Sequence, residues 1–378
     1  MSRPGLRIGV LFSQSGPMAM TENAHIKGIL LACEEINGGG GIAGRMIDPI
    51  ILDPAGSDAR YAALATELLL KHRANVIFGA CLSTSRKAVL PVVERFNGIL
   101  FYPSVYGGFE YSPNVVYGGA VPNQVVLPLL EYLLQNRGKR FALIGSDTLY
   151  AREVNRIVME FLAESGGEIA LETYAPLGAT EGHFGVILSR LSDGGADAII
   201  STVVGEDSIS LYNAFSAAGL NGERLPIASL TTTESELGRI RPEARVGHIS
   251  VTSYFSTLPL PASVSFRSAF HQRFGSGEEP GVYSQVCYSQ VHMFADAVRQ
   301  AGSDETDTLL SALSGAVLKG PAGDLFLDTD TNHASLRPLI GKAAADGTFE
   351  IIWRGANVIR PDPYLVGYDR SVAGRMTA

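Results

Sequence analysis

Cysteine is scarce in this chain. Cys33, Cys81 and Cys287 are odd in number, far apart and without any C-x-x-C spacing. That excludes a disulfide framework and a conventional zinc knuckle, and it suits a reducing compartment. Long apolar runs are missing as well: no window approaches the roughly 18 residues of a membrane span. The first apolar stretch, Leu6 to Phe12, is too short for a secretion-signal core, and no small-residue cleavage site follows before Ser13-Gln14-Ser15. The sequence as it stands reads as cytoplasmic, or as periplasmic if a leader has been removed. Basic charge is also short: 30 Lys and Arg against 38 Asp and Glu leave a net charge of -8, which argues against a nucleic-acid-binding surface. There is no G-x-x-x-x-G-K-S/T phosphate loop, no H-E-x-x-H and no G-x-S-x-G elbow. The histidines, at 25, 72, 183, 248, 271, 292 and 333, include no i, i+4 pair, so a local metal motif is absent.

What the chain does have is apolar content, 46% against 18% charged, enough for a large core and too much for disorder. Short apolar runs alternate with longer amphipathic ones. Strands are predicted at Leu6–Phe12, Met46–Leu52, Asn75–Phe78 and Ile99–Tyr102, with helices at Thr21–Ile36, Asp58–His72 and Ser83–Phe96 between them. The alternation restarts with helices at Val121–Gln135, Ala151–Glu164, Phe184–Leu191 and Ser208–Ala218. Its strands are Arg140–Ile144, Glu168–Tyr174, Ala198–Thr202, Ile227–Ser229 and His248–Ser253. Three helical stretches follow, Ala262–Phe274, Val282–Ala301 and Asp304–Leu313, then short strands near Leu325, Leu339 and Ile351. Such alternation implies right-handed βαβ units and parallel sheets. The expectation is α/β: two doubly wound lobes joined by three crossover segments, with residues 1–121 and 255–330 in one lobe and 122–254 and 331–378 in the other. Gly38 to Gly41 follows a helix, so it is a helix stop and not a cofactor loop. Asp328-Thr329-Asp330-Thr331-Asn332 looks like a calcium loop but has His333 where glycine is needed and Leu339 where glutamate is needed. It reads as a turn between strands.

Four segments share one layout, in which a strand ends, a polar turn follows and a helix begins. They are Phe78 to Ser85, Ile144 to Tyr150, Ser201 to Asp207 and Ser229 to Glu234. In an open α/β sheet the carboxyl ends of strands line the ligand crevice, and a helix start there offers free N–H groups and a positive dipole end. A carbonyl or carboxylate oxygen is the natural guest. The plainer reading is that the hydroxyls are helix caps. Two such turns from each half favour a ligand site.

At these residues the chain resembles the amide/urea-binding branch of the type I periplasmic-binding-protein family, and within it the cytoplasmic amide sensors that negatively regulate amidase expression. The resemblance rests on Ser85 to Arg95, Tyr102 to Asn114, Ile144 to Asp147, Ser201 to Gly205, Pro226 to Thr232 and Arg360 to Tyr364, and it spans about Ile8 to Tyr364. It implies two lobes closing on ligand by hinge motion. It implies that Ser83 holds the ligand's carbonyl oxygen through hydroxyl and backbone amide, that Ser104 lies beside the amide group, and that Tyr150 closes the pocket from the second lobe. Cys81 and Thr148 stand where the amide sensors carry aromatics. That departure implies a roomier pocket and a ligand larger than acetamide. The turns add Leu82, Tyr102, Val105, Tyr106, Val204, Gly205, Thr231 and Thr232 as ligand-binding candidates.

The resemblance implies a binding protein and not an enzyme, with no cofactor, no metal and no catalytic residue. The leading expectation is a sensor that closes on a small amide-like molecule and signals to an RNA-binding antitermination regulator. The alternative is the substrate-binding receptor of an ABC transporter for urea, short-chain amides or amino acids, with a permease as partner. An amino acid would need an ammonium partner, which Glu206 or Asp207 could supply. A hydrolase would need a base in reach of Ser83 or Cys81. A homodimer is compatible with either binding role.

Overall fold

The computed structural model describes residues 5–191 and 195–367. These fall into two units. The first takes the residues up to Val105, then Tyr111–Ala120 and Leu258–Leu336; the second takes Tyr106–Glu110, Val121–Thr257 and the residues from Arg337 on.

In the first unit, β1 (Leu6–Leu11), β2 (Ile47–Leu52), β3 (Val76–Gly79), β4 (Ile99–Tyr102) and β5 (Val115–Tyr117) form a parallel sheet in the order β2-β1-β3-β4-β5. The helices α1 (Ala19–Gly38), α2 (Asp58–Leu70) and α3 (Ser83–Arg95) connect the first four strands. β5 was not expected. Three residues are too few to show a period, and tertiary pairing to β4 makes the strand. The core is aromatic: Phe78 and Phe101 stack at 4.7 Å between ring centroids, with Phe294 edge-on to both.

The second unit holds α4 (Pro122–Asn136), β6 (Arg140–Ser146), α5 (Leu149–Ser165), β7 (Glu168–Ala175), α6 (Glu181–Leu188), β8 (Ala198–Thr202), α7 (Asp207–Ala217), β9 (Ile227–Ser229), α8 (Glu234–Leu237), α9 (Pro242–Arg245) and β10 (Ile249–Thr252). The chain then returns to the first unit with α10 (Pro261–Phe274), α11 (Val282–Ala301), α12 (Thr306–Leu313) and the antiparallel strands β11 (Val317–Gly320), β12 (Gly323–Leu327) and β13 (Ala334–Ser335). It ends in the second with β14 (Leu339–Ala343) and β15 (Phe349–Arg354). The second sheet runs β15-β14-β10-β9-β8-β6-β7, parallel from β7 to β10 and antiparallel beyond.

The first unit extends to Leu336, beyond the expected 330, because β13 pairs with β12. The calcium-like stretch is the turn between those two strands. Asp328 Oδ1 accepts from the Asp330 and Thr331 amides, both at 3.1 Å, and from the Thr331 hydroxyl at 2.9 Å.

Helix α11 is distant in sequence from α1 yet packs directly on it. A Cβ placed on Gly28 would stand 2.0 Å from the Ser284 carbonyl oxygen, so only glycine allows this approach. Ser284 Oγ donates to the Ala24 carbonyl at 2.8 Å in the same contact. Gly28→Ala is expected to lower stability by about 1–3 kcal/mol. A urea midpoint unchanged by the substitution would show that the helices part without cost.

Candidate functional site

Each parallel sheet has one place where the strand order reverses, and there the carboxyl ends of neighbouring strands leave a crevice. In the first unit this place is between β1 and β3. β3 runs into Gly79-Ala80-Cys81-Leu82, and α3 starts at Ser83. Ala80 takes a left-handed φ of 63°, and its amide donates to the Leu11 carbonyl of β1 at 3.1 Å. Ser85 braces the turn, accepting from the Cys81 amide at 3.3 Å and donating to the Leu82 carbonyl at 2.8 Å. With that job taken by Ser85, the Ser83 hydroxyl and the Ser83 and Thr84 amides make no hydrogen bond among the described residues. Three donors thus stand at the start of a 13-residue helix.

Tyr102, at the end of β4, ties in the next turn. Its hydroxyl donates to the Cys81 carbonyl at 2.8 Å, with the Val105 carbonyl at 3.4 Å. Arg86 is buried with its guanidinium over the Tyr102 ring, 4.8 Å from the centroid. Ser104 is buried, and its Oγ lies 3.1 Å from His25 Nε2. The fold therefore brings Cys81, Leu82, Ser83, Tyr102, Ser104 and Val105 to one edge of the first sheet. Tyr106 belongs to the second unit, and its hydroxyl is directed to the Glu110 carbonyl of its own loop, at 3.2 Å.

In the second unit the order reverses between β6 and β8. Ser146 Oγ, at the end of β6, accepts from the Val204 amide beyond β8 at 3.2 Å. Thr148 is the N-cap of α5 and accepts from the Ala151 amide at 3.2 Å, with Tyr150 buried in the first turn. Gly205 has a φ of 63°, the left-handed geometry that lets the chain turn into α7. Past β9, the Thr231 hydroxyl donates to the Val203 carbonyl, and Thr232 is held by Ser229 through both its amide and its hydroxyl, each at 2.9 Å. Thr231 and Thr232 thus brace the turn with groups the sequence offered to a ligand.

Two expectations need correction. The four turns do not divide two and two: Phe78–Ser85 lies in the first unit and the other three lie in the second. The lobe bounds expected from the sequence, 1–121 and 122–254, already divide them one and three. Asp207 is not a ready ammonium partner either, since its carboxylate accepts from the Gly178 amide at 3.1 and 3.0 Å. Burial pushes its pKa up to about 6. Glu206, the N-cap of α7, is exposed.

The residues that no motif marked lie at the β1 end. Glu22 on α1 is buried and accepts from the Ser13 amide and the Tyr61 hydroxyl. Ser13 Oγ lies 3.0 Å from the Tyr61 hydroxyl and accepts from the Gly56 amide at 2.9 Å. This network fixes the loop after β1. Among the described residues no cluster of His, Cys, Asp or Glu is arranged to hold a metal, and no helix is long and apolar enough to cross a membrane.

The family model described as periplasmic binding protein domain matches residues 6–370. The chain belongs to this family. Its fold is the type I periplasmic-binding-protein fold, α/β with open sheets and two lobes. Among its relatives is the Leu/Ile/Val-binding protein homolog 6 of Brucella melitensis, 22% identical over 353 residues, covering 91% of this chain and 89% of the relative. Among solved structures it is similar to a solute binding protein of an ABC transporter from Rhodopseudomonas palustris in complex with 3,4-dihydroxybenzoic acid. There the TM-score is 0.85 and the identity 22%, over 94% of this chain and 98% of the other. It is also similar to the branched-chain amino acid transporter substrate binding protein LivJ of Streptococcus pneumoniae in complex with isoleucine, with a TM-score of 0.83 and 20% identity over 94% and 100%. These periplasmic-binding-protein relatives lend no support to a cytoplasmic location or to an RNA-binding regulator as partner.

Glu22 gives the site region a pH signature. Desolvation raises its pKa from 4.5 to about 7, against the lowering effect of the Tyr61 and Ser13 hydrogen bonds. Between those values the folded chain holds a proton that the unfolded chain has released. This contribution to stability is therefore full below about pH 4.5 and is lost as pH rises through 7. Urea titrations of wild type and Glu22→Gln across that window are expected to show the wild-type decline flattened in the variant. Equal slopes would remove Glu22 as its source.

Proposed function

We propose that the chain is the substrate-binding receptor of an ABC transporter, working in the periplasm, with a permease as its partner and no catalytic step. The observation that carries this reading is the group of unsatisfied donors at Ser83 and Thr84, set at the β1/β3 reversal of a sheet whose family consists of binding proteins. Those donors suit a carboxylate or carbonyl oxygen. The two solved structures named above are described in complex with 3,4-dihydroxybenzoic acid and isoleucine, and both molecules carry a carboxylate. The small side chains of Cys81 and Thr148 fit a ligand larger than acetamide. Ser83 and Ser104 would hold the polar end of the solute in the first unit, and Tyr150, Val204 and Gly205 are the ligand-binding candidates of the second. On this reading the solute is a small amino or aromatic acid, and an amide-responsive regulator becomes the second choice.

A thermal-shift panel separates the two. Leucine, isoleucine, 4-hydroxybenzoate, acetamide and urea are each added in excess. Saturation at about 100 times the dissociation constant stabilises by about 2.7 kcal/mol, a shift of several degrees for a chain of this size. An amino or aromatic acid is expected to give that shift, to be recovered unchanged, and to lose it in Ser83→Ala and Tyr150→Ala. A response to acetamide or urea alone would restore the amide sensor. No response to any of the five would count against both readings.

A further inference from the structure

His25 lies on α1, fully buried, beside the turn that follows β4. Its ring is stacked between Phe12 and Tyr283, at centroid distances of 4.8 and 4.7 Å. The sandwich fixes the plane of the imidazole, so each ring nitrogen has a fixed neighbour. Nδ1 lies 2.8 Å from the Thr21 backbone carbonyl oxygen, and Nε2 lies 3.1 Å from Ser104 Oγ.

The direction of both hydrogen bonds follows from chemistry. A carbonyl oxygen can only accept, so Nδ1 carries a proton. Burial pushes the imidazole pKa down from 6.5 to about 3, so the ring holds one proton and no more at working pH. Nε2 is then bare and must accept, and the donor can only be the Ser104 hydroxyl. A serine hydroxyl has one proton and two lone pairs. With the proton turned to His25, only lone pairs remain for anything else that approaches Ser104.

We infer that His25 is a positioning residue that holds Ser104 as a hydrogen-bond acceptor, so that the receptor selects solutes presenting an N–H or O–H at this point. The inference rests on the receptor reading above and refines it. Ser83 and Thr84 offer donors and Ser104 offers an acceptor, so the first unit is polarised. The matching solute carries an oxygen acceptor and, within reach of Ser104, an N–H or O–H donor. A solute that turned a carboxylate oxygen toward Ser104 would set lone pair against lone pair and leave a buried polar group unpaired, at about 1–3 kcal/mol.

Two measurements test this. Long-range proton–nitrogen spectra of the full-length chain, labelled with nitrogen-15 and free of ligand, report the tautomer, with His25→Phe used for assignment. His25 is expected to show a protonated Nδ1 and a bare Nε2, unchanged between pH 5 and pH 8. A proton on Nε2, or titration in that range, overturns the inference whatever the chain binds. Calorimetry then follows leucine, 4-hydroxybenzoate and acetamide on wild type, Ser104→Ala, His25→Phe and the double variant. A probe that binds is expected to weaken about tenfold in Ser104→Ala and about three- to tenfold in His25→Phe. The double variant should match Ser104→Ala within about twofold, because His25 acts through Ser104. Full additivity overturns the inference. Binding by none of the three probes counts against the receptor reading, whereas the nitrogen spectrum bears on the His25–Ser104 pair alone.

Discussion

At Gly28 the backbone of α1 comes so near the Ser284 carbonyl of α11 that no side chain fits between them. Much of the first unit depends on that approach. It joins a helix at the start of the chain to one that arrives after the whole α/β run of the second unit. The same pair of helices carries His25 and Tyr283, whose rings stack on each other. The His25 ring in turn meets Ser104 at the end of a third element. A polar contact in the candidate site thus hangs on a glycine that touches no part of it.

Several buried polar groups in both units have a partner whose chemistry fixes their role. Ser85 and Tyr102 tie down the turn at Cys81, and Ser146 holds the Val204 turn. His248 in the second unit is a second buried neutral imidazole, pushed down to about 3 by desolvation, with Nδ1 accepting from the Ile227 amide at 3.0 Å. There the ring satisfies a backbone group. His25 differs because its outer nitrogen meets a side chain at a strand end. Once such partners are assigned, the groups left over at Ser83 and Thr84 stand out, and they are donors.

Much of the fold was legible in the sequence. The strands Ile99–Tyr102, Ala198–Thr202 and Ile227–Ser229 and the helix Val282–Ala301 have the predicted ends, because apolar period and punctuation agree there. β5 and the short helices α8 and α9 were not legible, since three or four residues carry no period. Of the candidate site, the turns at Ser83, Thr148 and Gly205 were readable as strand–turn–helix passages. Thr231 and Thr232 were readable only as polar residues. Their hydroxyls were already engaged by Val203 and Ser229, and that is a fact of packing.

The sequence by itself determined the alternation of strands and helices and the identity of the polar turns. These depend on periodicity and on neighbours in the chain, which local physics reads directly. Only the tertiary structure decided which hydroxyls remain unpaired and which way the Ser104 proton points. His25 and Ser104 are 79 positions apart, and Ala24 and Ser284 are 260 apart. No local pattern records such meetings, because they arise when sheets pair and helices pack, and hydrogen-bond direction follows from the partners that packing supplies.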